Sequence, residues 1–216
     1  MKLMSVALWS RANHTILPMT MLVLPKRNPD VPPVAVISAM KIILDKLIFP
    51  LSMSSPKILN VKPFRQTTGL CGPASLKIAL SYFGREYSES HLAELSAATT
   101  QHGTEHADLI KAVKQLGGAV ITNEHASISD VENLVVKQKL PVIIGWFDED
   151  EDHYSVVVGA TPKYLITQDP EVGGIRRLPK SKFPAIWFDF VGPENKIVSW
   201  GWYMAINFPA SFASPV

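Results

Sequence analysis

The chain's single cysteine, Cys71, stands in Gln66-Thr-Thr-Gly-Leu-Cys-Gly-Pro-Ala-Ser-Leu76, just ahead of a stretch whose apolar residues have helical spacing. A thiol at a helix start feels the positive end of the helix dipole and backbone N–H groups that no helical carbonyl satisfies. Both favour the thiolate, the nucleophilic form. Gly72 lets a substrate backbone approach closely, and Pro73 presets the first turn. A nucleophilic thiol needs a base, and the base needs a group to hold its ring. His153 and Asp169 answer that need through spacing. The runs Tyr154–Gly159 and Tyr164–Gln168 read as a hairpin turning near Thr161-Pro162. A turn centred on Thr161 sets His153 and Asp169, each eight residues away, opposite one another at the open end. Gln66 is the candidate fourth member, because its amide can donate to a developing oxyanion beside the Cys71 N–H. Taken singly, each has a plain structural use: a small buried thiol, a solvated loop histidine, a turn aspartate before Pro170, an exposed glutamine. Together they read as a Cys-His-Asp set for covalent acyl chemistry.

The elements that must hold these residues follow from periodicity and punctuation. A helix is expected over Ala74–Phe83, with Pro73 in its first turn and Gly84 at its stop. A second follows Ser88 and covers His91–Ala97. A third starts near Thr104, runs over His106–Leu116 and ends at Gly117-Gly118. Ala119–Thr122 reads as a strand. Ser129 with Glu132 three residues on reads as a capping box opening a fourth helix to about Gln138. From Pro141 the texture becomes β-branched and aromatic. Strands are expected over Pro141–Phe147, Tyr154–Gly159, Tyr164–Gln168 and around Trp202–Asn207. Helices first and consecutive strands afterwards indicate an α+β domain, helices packed on an antiparallel sheet.

Composition removes several classes. The 216 residues are 47% hydrophobic and 19% charged, enough to bury a core and unlike a disordered chain. A net charge of +2 lacks the dense basic surface of a dedicated nucleic-acid binder, so no nucleic acid is expected. One cysteine excludes an internal disulfide framework and any zinc site built on two cysteines. No run reaches the roughly 18 apolar residues of a membrane span, so no integral membrane segment is expected. The apolar stretch Thr15–Leu24 is followed by Pro-Lys-Arg-Asn-Pro and not by a small-residue cleavage site. That favours cytoplasmic residence over secretion.

Residues 1–60 differ from the remainder. They hold six of the seven methionines, seven of the seventeen prolines and a net charge of +5, which leaves −3 for residues 61–216. Within them, 34–49 has the pattern of a short amphipathic helix. We read a basic, Met/Pro-rich extension over 1–60 and one domain over 61–216.

Three segments in order carry a family resemblance: Gln66 with Cys71-Gly72-Pro73-Ala74-Ser75-Leu76, then His153-Tyr-Ser-Val-Val-Val-Gly159, then Gln168-Asp169-Pro170. They resemble the bacteriocin-processing (double-glycine leader) peptidases and their stand-alone relatives, within the papain-like cysteine peptidases. Phe183-Pro-Ala-Ile-Trp187 looks like the aromatic helix that often follows the Asp-Pro of that family. The resemblance covers roughly 62–208. It implies a papain-like fold and thiol peptidase activity on a peptide or protein substrate. It also implies Cys71 as nucleophile, His153 as base, Asp169 as ring orienter and Gln66 in the oxyanion hole, with no cofactor. Gln66 stands five positions before the cysteine where six is usual, and the leader specificity is not carried by these residues. Phytochelatin synthases share a similar Cys-Gly helix start, so transfer to an amine or thiol acceptor is the alternative reaction. A peptide-binding module without turnover is the alternative of another class.

Weaker signals receive plainer readings. Asp148-Glu-Asp-Glu-Asp152, abutting His153, reads chiefly as a solvated loop, though it can raise the histidine's pKa, attract a basic segment or bind a hard cation without the glycine and alternating spacing of a calcium loop. His102 and His106 flank Glu105, but a helix starting near Thr104 leaves His102 outside it, so no metal site is expected. Gly173-Gly174 shapes a turn, and most of the aromatic residues are expected in the core.

Overall fold

Pro73, tolerated in a first helical turn, and the alanine- and leucine-rich run behind it form helix α1, Cys71–Ser81, so Cys71 is its first residue. In the computed structural model, which describes residues 58–192 and 196–208, all described residues fall in one unit, Met53–Val216. The expectations for 15–24 and 34–49 lie outside the described residues. Leu76, Ile78 and Leu80 of α1 are wholly buried, each such side chain contributing about 1.5–3 kcal/mol relative to exposure. Ser88 caps α2, Glu89–Leu95, by accepting from His91 N at 3.1 Å. Helix α3 is His106–Gln115, and strand β1 is Ala119–Asn123.

The expected capping box is displaced. Ser127, extended at φ −96° and ψ 159°, caps helix α4, Ile128–Glu132, in a reciprocal pair with Asp130. Ser129 bonds the Ser127 hydroxyl instead, at 2.7 Å, and Glu132 pairs with Lys180. The second half of the expected fourth helix is a π turn, Asn133–Lys137.

Seven strands follow: β2 Val142–Asp148, β3 Glu151–Ala160, β4 Tyr164–Asp169, β5 Gly174–Pro179, β6 Phe188–Val191, β7 Ile197–Trp200 and β8 Tyr203–Asn207. Six strands form one antiparallel sheet in the order β1-β8-β2-β3-β4-β5, while β6 and β7 pair separately. Val142, Ile143, Ile144, Val156, Val157, Leu165, Met204 and Ile206 meet the helical Leu76, Leu109 and Val113 in one core. Strands β5, β6 and β7 were not expected from sequence. The Phe183–Trp187 segment is a single 3₁₀ turn over Phe183–Ala185, not a longer helix.

The β3–β4 register departs from the expected one in a way that matters for the site. The turn closes from Thr161 N to Tyr164 O at 2.8 Å, so its centre falls between Pro162 and Lys163. Near the turn, Ala160 opposes Leu165 and Gly159 opposes Ile166. Beyond the bulge, Val157 opposes Thr167 and Val156 opposes Gln168. Val158 is the extra residue. Its carbonyl, which the ladder would otherwise leave unpaired, accepts from Leu59 N at 2.7 Å. Direct opposition of His153 and Asp169 is therefore wrong. Continuing the register past Val156 sets Asp169 opposite Ser155, two residues from His153 and on the same face. Without the bulge the register would put the two side chains on opposite faces.

Candidate active site

Four elements deliver the candidate residues: the N-terminus of α1 (Cys71), the start of β3 (His153), the end of β4 (Asp169) and the segment ahead of α1 (Gln66). No side chain caps α1, and its first turn carries no acidic residue, so its N-terminal dipole meets the thiol uncompensated. A Cβ on Gly72 would collide with the Thr104 methyl group, which explains why glycine follows the cysteine. Gln66 is tied to the end of β4 through its main-chain N–H, which donates to Pro170 O at 2.8 Å. Its side-chain Oε1 is buried without a partner.

His153 is 4% exposed and Asp169 fully buried, far from the solvated loop reading. His153 Nε2 and Asp169 Oδ2 are 3.1 Å apart, which leaves Nδ1 as the ring nitrogen available to the thiol. Asp169 Oδ1 accepts from Glu171 N at 2.9 Å, so both carboxylate oxygens are engaged. Burial alone would lower the His153 pKa. The hydrogen bonds and charges of Asp169 and Cys71 outweigh it and push the pKa up to about 10. For Asp169, burial acts upward. The bond and charge of His153, with Arg176 and the Glu171 amide, hold its carboxyl below the ordinary value.

Arg176 was not found by sequence reading. Its guanidinium pairs with Asp148, with Nη2 at 2.8 Å from Oδ1, and lies 3.7 Å from Asp169 Oδ2 and 3.6 Å from Glu171 Oε2. It also lies over the Trp146 ring, 4.9 Å from the centroid, while that ring meets His153 edge-on at 5.6 Å. The acidic run thus divides. Asp148 is consumed by Arg176, Glu149 and Asp150 are exposed, and Asp152 accepts from Phe190 N at 3.0 Å. A cavity of about 700 Å³ opens beside this run, lined also by Arg65, Glu171 and Arg176.

His153, Asp169 and Glu171 have ligand atoms within 4.8 Å of one another. A cation there would have to displace the His153–Asp169 bond and sit against the Arg176 guanidinium. His106 makes no pair with His102. It opens α3 and bonds Asp189. Trp146, Trp187 and Trp202 are core residues at 1%, 3% and 2% exposure, whereas Trp200 is exposed.

Asp152 carries a testable pH dependence. Burial chiefly, with the charge of Asp189, raises its pKa from 3.8 to about 6 against the opposing Phe190 amide bond. The folded state then prefers the protonated acid, so stability falls as pH rises from 3.8 to about 6. The unfolding midpoint of wild type relative to Asp152→Asn is expected to decline across that window. A difference that does not change with pH there would refute the assignment.

The fold is shared with the peptidase domain of Streptococcus ComA, at a TM-score of 0.54 and 24% identity over 70% of this chain and 99% of that one. It is shared too with a double-glycine-motif protease from an AMS/PCAT transporter, solved in complex with the leader peptide (TM-score 0.52, 19% identity, 70% and 96% covered). At these identities the two neighbours, a peptidase domain and a protease by name, show a shared fold alone. The chain belongs to the Peptidase C39 family, whose model matches residues 64–191. Among curated relatives, the pediocin PA-1 transport/processing ATP-binding protein PedD of Pediococcus acidilactici is 37% identical over 120 residues. That match covers 54% of this chain and 16% of the relative. The transport/processing ATP-binding protein ComA of Streptococcus pneumoniae is 30% identical over the same shares. The chain thus spans 16% of the length of the curated relatives it matches. No described helix is long and apolar enough to cross a membrane.

Proposed function

We propose that the protein hydrolyses peptide bonds through Cys71, His153 and Asp169 by way of an acyl-enzyme. The observation that carries this reading is the buried His153, whose Nε2 is held by Asp169 at 3.1 Å and whose pKa is raised to about 10 by Asp169 and Cys71. The Cys71 thiolate attacks the scissile carbonyl carbon, and the carbonyl π electrons become the oxyanion. On collapse the C–N bond breaks, and the His153 imidazolium gives its proton to the leaving amine. Water then attacks the thioester while His153 takes its proton, and the sulfur leaves as thiolate. Gln66 and the Cys71 N–H are the proposed oxyanion donors. Residues 61–216 are proposed as the peptidase domain, with 1–60 appended to it.

A peptide cut after a double glycine is the proposed first substrate, since the relatives are named as processing proteins and one structural neighbour holds a leader peptide. The test is incubation with a synthetic double-glycine leader peptide, followed by mass spectrometry of intact protein and products. A thioester adduct on Cys71 and two product peptides are expected. Recovery of both peptide and protein unmodified, across peptides with and without the double glycine, would leave a binding module as the better reading. Capture of the acyl group by added amines in preference to water would favour transfer.

A further inference from the structure

A second buried His–Asp pair lies on the other face of the β2–β3 ribbon. His106 Nε2 and Asp189 Oδ2 are 2.6 Å apart, with His106 8% and Asp189 2% exposed. Gly145 makes room for it, because a Cβ there would collide with Asp189 Oδ2. The His106 ring stacks on Trp202 at 3.8 Å and 5°, and meets the Tyr154 ring edge-on at 5.8 Å. Asp189 Oδ1 is buried with no partner, so the pair is not an economical device for stability. Apolar side chains of the same volume would pack here without the desolvation cost.

What the pair joins is more informative. His106 opens α3, and its neighbours on the chain reach both halves of the active site. Two residues before it, the Thr104 methyl fills the space above Gly72, next to the thiol. The Thr104 carbonyl accepts from Tyr154 Oη at 3.2 Å, next to His153. One residue before it, Glu105 Oε2 accepts from Gly192 N at 3.0 Å, past the end of β6. On the β6–β7 ribbon, Asp189 lies in β6, and the adjacent Phe190 N–H donates to Asp152, the other neighbour of His153. Helix α1 contributes the Ser75 hydroxyl, which donates to Tyr154 O at 3.1 Å. The start of α3 therefore touches the residue after Cys71 and the residue after His153, and the His106–Asp189 bond pins that start to β6, whose Phe190 N–H in turn holds Asp152 of β3.

We propose that His106 and Asp189 are positioning residues that set the separation of Cys71 from His153. The proposal rests on the roles given above to those two residues. Misplacement of a reacting pair by about 1 Å costs on the order of 10²-fold in rate, so a clamp at this joint has catalytic leverage.

The test compares alkylation of Cys71, which needs no substrate, in wild type, His106→Phe/Asp189→Leu and Asp189→Asn. The double variant keeps a ring on Trp202 and apolar volume at Asp189. It is expected to unfold at or above the wild-type midpoint yet to alkylate about tenfold more slowly near neutral pH, with an unchanged rate in strong alkali where every thiol is ionised. Asp189→Asn, which keeps a polar contact, is expected to lose about threefold. If the double variant does not fold, wild-type alkylation by Asp189→Asn alone overturns the proposal. So does a rate near neutrality that equals wild type in the double variant. A faster rate would mean that Asp189 acts through its charge on the thiolate. A rise in KM with kcat and alkylation unchanged would mean that the pair touches substrate. Both overturn positioning. If wild type itself shows no fast reaction near neutrality, the Cys71–His153 reading fails first, which separates the two failures.

Discussion

Cys71→Ala is expected to lower peptide turnover by about 10⁵-fold, and adding His153→Ala to it is expected to cost nothing further. The reason is that nucleophile and base act as one unit. Without sulfur there is no thioester for the base to serve, and without the imidazole the leaving amine has no proton donor. The residual rate then comes from binding and from the oxyanion donors. Single-turnover kinetics on the two single variants and the double variant check this. Losses that multiply in the double variant would mean that His153 works independently of Cys71, and the proposed cycle would be wrong. The fold should survive all three, since His153 is replaced inside a ribbon whose backbone pairs on β2 from Val142–Val157 to Asp148–Glu151.

Asp169→Asn is expected to lower kcat by about 10²–10⁴-fold and to shift the alkaline limb of the pH profile downward. The sign follows from the causes. Burial lowers the His153 pKa, and the bond and charge of Asp169 and Cys71 raise it to about 10. An amide removes one of the two opposing charges. It also removes the negative charge that Asp169 sets beside both the imidazolium and Arg176, 3.7 Å from that carboxylate, while Arg176 keeps its pair with Asp148. Stability follows the same linkage. The raised His153 pKa contributes stability that is fully present below 6.5 and lost as pH climbs through about 10. Asp169→Asn should flatten that dependence. An unmoved alkaline limb, read from kcat against pH, would separate Asp169 from the titrating imidazole and end its proposed role.

The residues with distinctive chemistry were legible because so few others could serve: one cysteine, a histidine and an aspartate at hairpin spacing, a glutamine upstream. Helix starts were legible where Ser88 and Pro73 announce them, less so at Ser127, because Ser127-Ile-Ser129 offers two caps and only backbone conformation chooses between them. The hairpin register could not be read. Val156-Val-Val158 presents the same side chain at three successive positions, so nothing in the sequence says which valine is extra. Arg176 sits in the edge strand Gly174-Ile-Arg-Arg-Leu-Pro179, whose glycine, paired arginines and proline read as loop in the sequence. Its value arises only from register with Asp148, 28 residues away. His106 and Asp189 are 83 residues apart, and neither motif nor period links them.

The bulge at Val158 makes the β3–β4 hairpin a parity device. Face alternation has a period of two, so the alignment of His153 with Asp169 depends on whether the residues between them number odd or even on each arm. Deleting Val158, or adding one residue to either arm between the bulge and the site, moves one member of the pair to the far side of the sheet. A two-residue change keeps the face and alters only the offset. Length variation in this hairpin is thereby quantised: single steps disconnect base from carboxylate, and only double steps, or paired single steps on both arms, leave a working alignment for selection to keep.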